Sequence, residues 1–321
     1  MVVNNRLKCL LVFVFWGISM ALSAQRKTEA IRYGDLDRWV VRKVTESAII
    51  GKDTKTLYGI GPADTIVGNE PFDPKDSPWA TSNVYAKISG VTKASVSVYP
   101  EARGEGNCAR LETGIEACSA LGIVHIKVLV GGSLFLGRSL EPVKGVSDPW
   151  SKIVSGVPFT WKPASLVFDY KVKLSGALNR IRLDGFSKAS EVKGMDMAVV
   201  NLILQKRWED KHGNLYAKRV GTLVVRMDRN TDWVNGATFP ILYGDITKRS
   251  DYKPYMGLLT GEAARYSLNS EGKNVPIQEI GWGTEDDEVT HMILEFCSSH
   301  GGSYVGSPGN TFWVDNIRLG Y

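Results

Sequence analysis

The chain has 321 residues, a formal net charge of +5, 43% hydrophobic residues and 23% charged ones. The charge is weak and its basic residues are interleaved with acidic ones, so nothing calls for a nucleic-acid partner. The length allows one large domain or two small ones. Ten per cent aromatics and 33 glycines suit an all-β protein with many turns.

The first residues have the layout of a secretory signal. Arg6 and Lys8 make a small positive region, Cys9 to Met20 are apolar, and Ala21, Ser23 and Ala24 are small. Cleavage is expected after Ala24, which makes 1–24 a signal peptide and 25–34 a short lead. The apolar stretch is shorter than the roughly 20 residues of a membrane span, and no later segment approaches that length. The mature chain is therefore expected in the periplasm, at the cell surface or in the medium, with no transmembrane segment.

Strand-like runs then follow one another. "DRWVVRKVTES" (37–47), "KTLYGIG" (55–61), "ASVSVYP" (94–100), "VHIKVLV" (124–130), "ASLVFDYKVKL" (164–174) and "AVVNLILQKRW" (198–208) are rich in β-branched and aromatic residues. "LYAKRVGTLVVRM" (215–227), "TFPILYG" (238–244), "THMILEF" (290–296) and "TFWVDNIRL" (311–319) continue the series. Turn signals such as "VSGVP", "KHGN" and "SPGN" separate them. Residues 198–227 read as a hairpin turning at "EDKHGN". One short helix is expected, at 257–268. With no βαβ rhythm, the pattern predicts a single-domain β-sandwich of jelly-roll type over 35–321, with long loops.

After loss of the leader three cysteines remain, Cys108, Cys118 and Cys297. An odd number excludes a complete disulfide framework. Cys108 and Cys118 could pair across a short loop or stay as free thiols. The four histidines show no metal-ligand spacing.

Local signatures of nucleotide, zinc or serine-hydrolase chemistry are absent: no P-loop, no G-x-G-x-x-G after a strand, no G-x-S-x-G, no H-E-x-x-H. Carboxylates near aromatics are present, at Asp169, Asp196, Glu209, Asp210 and the run Glu285 to Glu288. Glycoside hydrolysis needs two carboxyls flanking one bond. Glu209 and Asp210 also suit a hairpin turn, and the 285–288 run a solvated loop, so the catalytic residues stay unassigned.

Flat aromatic rings stack on sugar rings. Trp79, Trp208, Trp282 and Tyr255 stand beside polar residues in loops or at strand edges and are the candidates for carbohydrate contact. Trp39, Trp161, Trp233 and Trp313 lie in or next to apolar runs and are expected in the core. Strict alternation from Trp313 puts Asp315 on a face with Trp313, Ile317, Leu319 and Tyr321. A carboxylate there needs hydrogen bonds, a cationic partner or a metal ion. Asp315 is thus the candidate ligand of a structural Ca2+. The alternatives are backbone N–H bonds or a bulge that turns it outward.

"PWATSNVYAK" (78–87), "CARLETG" (108–114), "GSLFLGR" (132–138), "GVPFTWKPASLVFDYKVKL" (156–174) and "SSHGGSYVGSPGNTFWVDNIRL" (298–319) occur in that order. Together they resemble the PCMD family, a carbohydrate-metabolism domain of Bacteroidota. "LQKRWEDKHGNLYAKRVGT" (204–222) and "YGDIT" (243–247) are similar to it as well. The resemblance implies an exported jelly-roll domain that handles complex carbohydrates, and it brings no catalytic residues with it. Three functions are carried forward: a carbohydrate-binding module, a glycoside hydrolase or lyase using a carboxylate pair, and a structural or adhesion subunit.

Overall fold

The computed structural model describes residues 27–120, 124–185 and 187–321. The leader expected at 1–24 lies outside the described residues. Eight strands form the sandwich: β1 (Gly106–Ala120), β2 (Ser133–Ser139), β3 (Ser165–Lys173), β4 (Ala198–Glu209), β5 (Leu215–Met227), β6 (Thr231–Pro240), β7 (His291–Cys297) and β8 (Thr311–Gly320). The first pairs with the last, the second with the seventh, the third with the sixth and the fourth with the fifth, all antiparallel. β8 also pairs with β3, and β7 with β4. The two sheets therefore read β1-β8-β3-β6 and β2-β7-β4-β5. This nested pairing is the jelly roll that the strand pattern predicts.

The apolar faces of the two sheets meet in one core. Phe168 of β3 packs edge-on against Phe296 of β7, with ring centroids 5.2 Å apart, and Phe296 lies 6.4 Å from Phe312 of β8. Leu111, Leu134, Leu202, Leu204 and Val220 fill the space around them and are buried. The chain crosses between sheets at Gly132, where a Cβ would stand 2.4 Å from Glu112 N and Ser97 O; only glycine fits.

Shorter strands extend this frame. Thr28–Ala30 pairs with the end of β8, and Asn274–Trp282 runs parallel to β5. A sheet of Trp39–Thr45, Thr54–Ile60 and Asp64–Val67 packs with the hairpin Val84–Ile88/Val91–Ser95 around Val44, Leu57 and Tyr85.

Four expectations need correction or closure. The 198–227 hairpin forms as expected, with Asp210 Oδ1 accepting the His212 and Asn214 N–H groups to make its turn. The helix expected at 257–268 is instead a 3-10 turn, Gly261–Ala263, followed by the strand Tyr266–Leu268. Its backbone at Gly257 and Leu259 and the Arg265 side chain are bonded to a sheet, as described below, so the segment is held extended across that sheet. Cys108 is a free thiol, and it shares β1 with Cys118 ten positions away. That is about 30 Å of extended strand, against a Cα separation of about 7 Å at most for a disulfide. Asp315 does not share a face with Ile317 and Leu319. The β3–β8 register slips between Val167/Arg318 and Asp169/Asp315, and Asn316 takes φ 51°. The bulge resets the alternation, so Ile317 and Leu319 point into the core and Asp315 points out.

Candidate functional site

At the end of the sandwich where β3 starts and β8 finishes, the segment 159–164 crosses from one sheet to the other. Pro158 and Pro163 flank it and hold it extended. It is anchored at both ends: Phe159 N–H donates to Thr290 O at 2.9 Å, and Ala164 N–H to Gly320 O at 2.7 Å. The Tyr243 hydroxyl adds a bond to Pro163 O at 2.7 Å. Trp161 falls between the anchors, outside both sheets, and is 67% exposed. The expectation that Trp161 fills the core is therefore overturned: apolar runs lie close by in the sequence, but its backbone belongs to a crossing strap rather than a strand.

Trp161 lines a pocket of about 230 Å³. Phe159 and Tyr321 supply further aromatic walls, and Leu136, Met292 and Leu319 form the apolar floor. Glu29, on the strand beside β8, contributes a carboxylate to the lining. Burial, and then the charge of Glu29, raise the Tyr321 pKa, so its hydroxyl stays protonated and able to donate. The volume is below the about 300–1,000 Å³ of sites for drug-sized ligands and suits a single ring. A flat ring with an acceptor and a donor nearby is the chemistry that a pyranose requires: C–H groups against the aromatic face and hydroxyls to the polar groups.

The four aromatics singled out from the sequence do not form one surface. Trp79 is fully buried, with its indole N–H bonded to Arg32 O at 2.9 Å. A ring in the core cannot stack on a sugar, so Trp79 is a packing residue. Its strand, Trp79–Thr81, is only three residues long and lies between polar loops, which explains its exposed look in the sequence. Trp208 is 39% exposed and stacks on Tyr216 across the β4–β5 hairpin, centroids 6.0 Å apart and planes 23° apart. Trp282 is half-buried, with the Arg219 guanidinium 5.5 Å from its ring centroid. Tyr255 is 41% exposed and lies under the Arg226 guanidinium at 3.8 Å. Tyr216 and Arg226 are ten residues apart on β5, about 33 Å, so Trp208 and Tyr255 mark opposite ends of the sheet.

The outer face of that second sheet is not open. Glu279 accepts the Arg219 Nε at 2.9 Å, Gln205 Nε2 at 2.8 Å and the Leu259 backbone N–H at 2.6 Å, and also bonds Arg219 Nη2. Arg219 Nη1 reaches back to Gly257 O at 3.1 Å. Arg265 holds Glu295 through two bonds of 2.6 and 2.7 Å. These buried pairs fasten the 256–265 segment across the face, with Trp282 and Tyr255 at its margins.

Asp169 and Asp315 form a carboxylate pair, directly opposite each other on β3 and β8. Both bond Arg103 Nη1, Asp169 at 2.9 Å. Arg103 also donates to Asn235 Oδ1 at 2.5 Å and lies 3.9 Å from the Trp233 ring centroid. Burial pushes the Asp169 pKa up, but the Gly236 N–H, the Asn316 amide and Arg103 outweigh it and leave the group below the usual carboxylate range. Burial dominates at Asp315 and raises its pKa despite Arg103. Split pKa values are what an acid and its partner need. Here, however, a guanidinium occupies the space between the carboxyls, where a glycosidase would place the scissile bond. The same guanidinium supplies the cation that the sequence suggested calcium would supply at Asp315. Among the described residues no group of three or more His, Cys, Asp or Glu gathers to hold a metal ion.

The other carboxylates are structural or solvated. Asp196 is buried and accepts the Ser307 N–H at 2.8 Å and the Ser299 hydroxyl at 3.0 Å. Glu209 binds Ser270, Asp210 makes its turn, and Glu285, Asp286 and Glu288 are exposed. Among the described residues no helix is long and apolar enough to cross a membrane.

The molecule is a jelly roll with an aromatic-rimmed end pocket, a fold that hosts many unrelated functions. The sequence pattern of the family described as "Putative carbohydrate metabolism domain" (PCMD) matches residues 64–234, more than half of the chain, and the protein belongs to that family. Among solved structures, it is similar to a "putative glycoside hydrolase" from Bacteroides thetaiotaomicron, at 15% identity and a TM-score of 0.42, over 82% of this chain and 77% of that one. A likeness of that size carries no argument about activity. No curated protein matches.

Proposed function

We propose that this protein is an exported carbohydrate-binding domain that holds a sugar ring in the end pocket beneath Trp161. The observation that carries the reading is the exposed indole over an apolar pocket that also holds Glu29 and Tyr321. A large aromatic left in water at the mouth of a concave apolar site is a binding feature, because core packing has no use for it there. Membership of a carbohydrate-metabolism family supports a sugar as the ligand. The hydrolase reading has no comparable support, since the facing carboxylates Asp169 and Asp315 are occupied by Arg103.

The test is glycan-array binding of residues 25–321, followed by titration of any hit against tryptophan fluorescence. Binding that perturbs indole emission and is lost in Trp161→Ala supports the reading. Binding to no glycan, or binding that Trp161→Ala leaves intact, overturns it.

A further inference from the structure

We infer that the ligand is an extended neutral glycan chain, with one ring in the end pocket and further rings running over the 283–288 loop onto Trp208 and Tyr216. The inference rests on the sugar-binding reading above and extends it.

The second aromatic surface is a flat tile. Trp208 of β4 is the direct cross-strand partner of Tyr216 of β5, and Lys206 is the partner of Lys218. Residues two apart on a strand share a face. The two near-parallel rings therefore sit side by side with the two lysines next to them, on the part of the hairpin that projects past the sandwich. The exposed Ile280 belongs to the neighbouring strand, in the bulge next to the Ala217/Glu279 pair.

The tile and the pocket lie at the same end of the molecule, joined by one loop. Lys162, next to Trp161, donates to Glu285 O at 2.5 Å. Lys206, two residues before Trp208, reaches Asp287 Oδ1 at 3.2 Å and Glu288 Oε1 at 3.5 Å. The loop is itself tied by the Thr284 N–H bond to Asp287 Oδ2 at 2.9 Å. These exposed lysine contacts add little stability, but they fix where the loop sits: between the 159–164 strap that carries Trp161 and the β4–β5 hairpin that carries Trp208.

The charge along this path selects the ligand class. Glu285, Asp286 and Glu288 are exposed on the loop, and Glu29 lines the pocket. Carboxylates accept hydrogen bonds from sugar hydroxyls and repel an anionic chain. Lys162 and Lys206 are turned onto the loop, which leaves Lys218 as the exposed cation on the tile. A chain rich in hydroxyls and free of carboxylates or sulfates fits this surface.

The experiment is a calorimetric titration with neutral gluco-, xylo- and manno-oligosaccharides, each from the monosaccharide through the hexasaccharide. Wild type, Trp161→Ala, Trp208→Ala and Trp208→Phe are compared, with uronic-acid oligomers of matched length as the anionic arm. The expected result is an affinity gain of at least tenfold with length. Trp208→Ala should abolish the gain, bringing hexasaccharide affinity down to that of the wild type for the monosaccharide, and Trp208→Phe should keep most of it. A flat length dependence, or a gain that survives Trp208→Ala, overturns the extended site. If Trp161-dependent monosaccharide binding persists in that case, the pocket reading stands alone. Tighter binding of the uronic-acid oligomers overturns the neutral class. No binding at any length removes both readings together.

Discussion

Asp169 and Asp315 stand directly opposite each other on hydrogen-bonded strands, and both bond the same nitrogen of Arg103. All three side chains are mostly buried, and one guanidinium is shared between two carboxylates whose burial and mutual repulsion both oppose ionisation. Arg103→Met should cost about 3–5 kcal/mol in denaturant unfolding at neutral pH, the usual loss when a buried ion pair is broken from one side. The cost should shrink on acidification. Burial already raises the Asp315 pKa, and losing Arg103 raises it further; the native form then takes up a proton more readily than the unfolded one as pH falls through that value. A change below about 1 kcal/mol would mean that the triad is solvated.

The same relationship predicts the response to chelation. With Arg103 bonded to both carboxylates, Asp315 already has a cationic partner without a divalent ion. The melting temperature should be the same with EDTA as with added calcium. A rise with calcium would show an ion preferring the folded state, and Asp315→Asn would then show whether this residue binds it.

Trp161 and Trp79 should respond in opposite ways to the same substitution. Trp161→Ala should change stability by no more than about 0.5 kcal/mol, as for an exposed site, and weaken glycan affinity tenfold or more, about 1.4 kcal/mol. Trp79→Ala removes a fully buried indole and should cost about 3–5 kcal/mol. Thermal melts of the two variants side by side check both halves.

His291 gives a pH signature. Burial, and then the Arg207 charge, push its pKa down to about 4, against about 6.5 in the unfolded chain. Between those values the unfolded state binds the extra proton, so stability should fall as pH drops through this window and level off below it. His291→Gln should flatten that part of a melting-temperature profile; an unchanged slope would assign it to other groups.

Glu279 tests the segment fastened across the second sheet. Glu279→Gln keeps the shape but leaves the buried Arg219 charge unmatched, at a cost of about 3–5 kcal/mol. Amide protons of 257–268 should lose exchange protection more than those of β3 and β8. Uniform loss would mean that the segment opens only with the whole domain.

Much of the scaffold was legible because β4 and β5 are long runs rich in Val, Ile and Leu and their turn carries Asp, Gly and Asn in the right places. Asp315 was misread because a bulge shifts alternation by one residue, and no residue type announces a bulge beforehand; Asn316 at positive φ is the nearest signal. The pocket was illegible because its parts lie far apart in the chain: Glu29, Trp161 and Tyr321 meet only when Thr28–Ala30 pairs with β8. The two prolines around Trp161 were the available clue. They mark a non-strand segment, and a tryptophan in such a segment has no assured burial.

Tyr321 donates its backbone N–H to Lys27 O at 2.9 Å, so both ends of the described chain emerge beside the pocket that Tyr321 lines. Whatever is attached at either end, whether an affinity tag, a lipid tether or a flanking domain, starts its path at the mouth of that pocket. A protein immobilised through its ends would shade its own pocket. Surface attachment is better made beyond the opposite end of β3, as at the exposed Leu178.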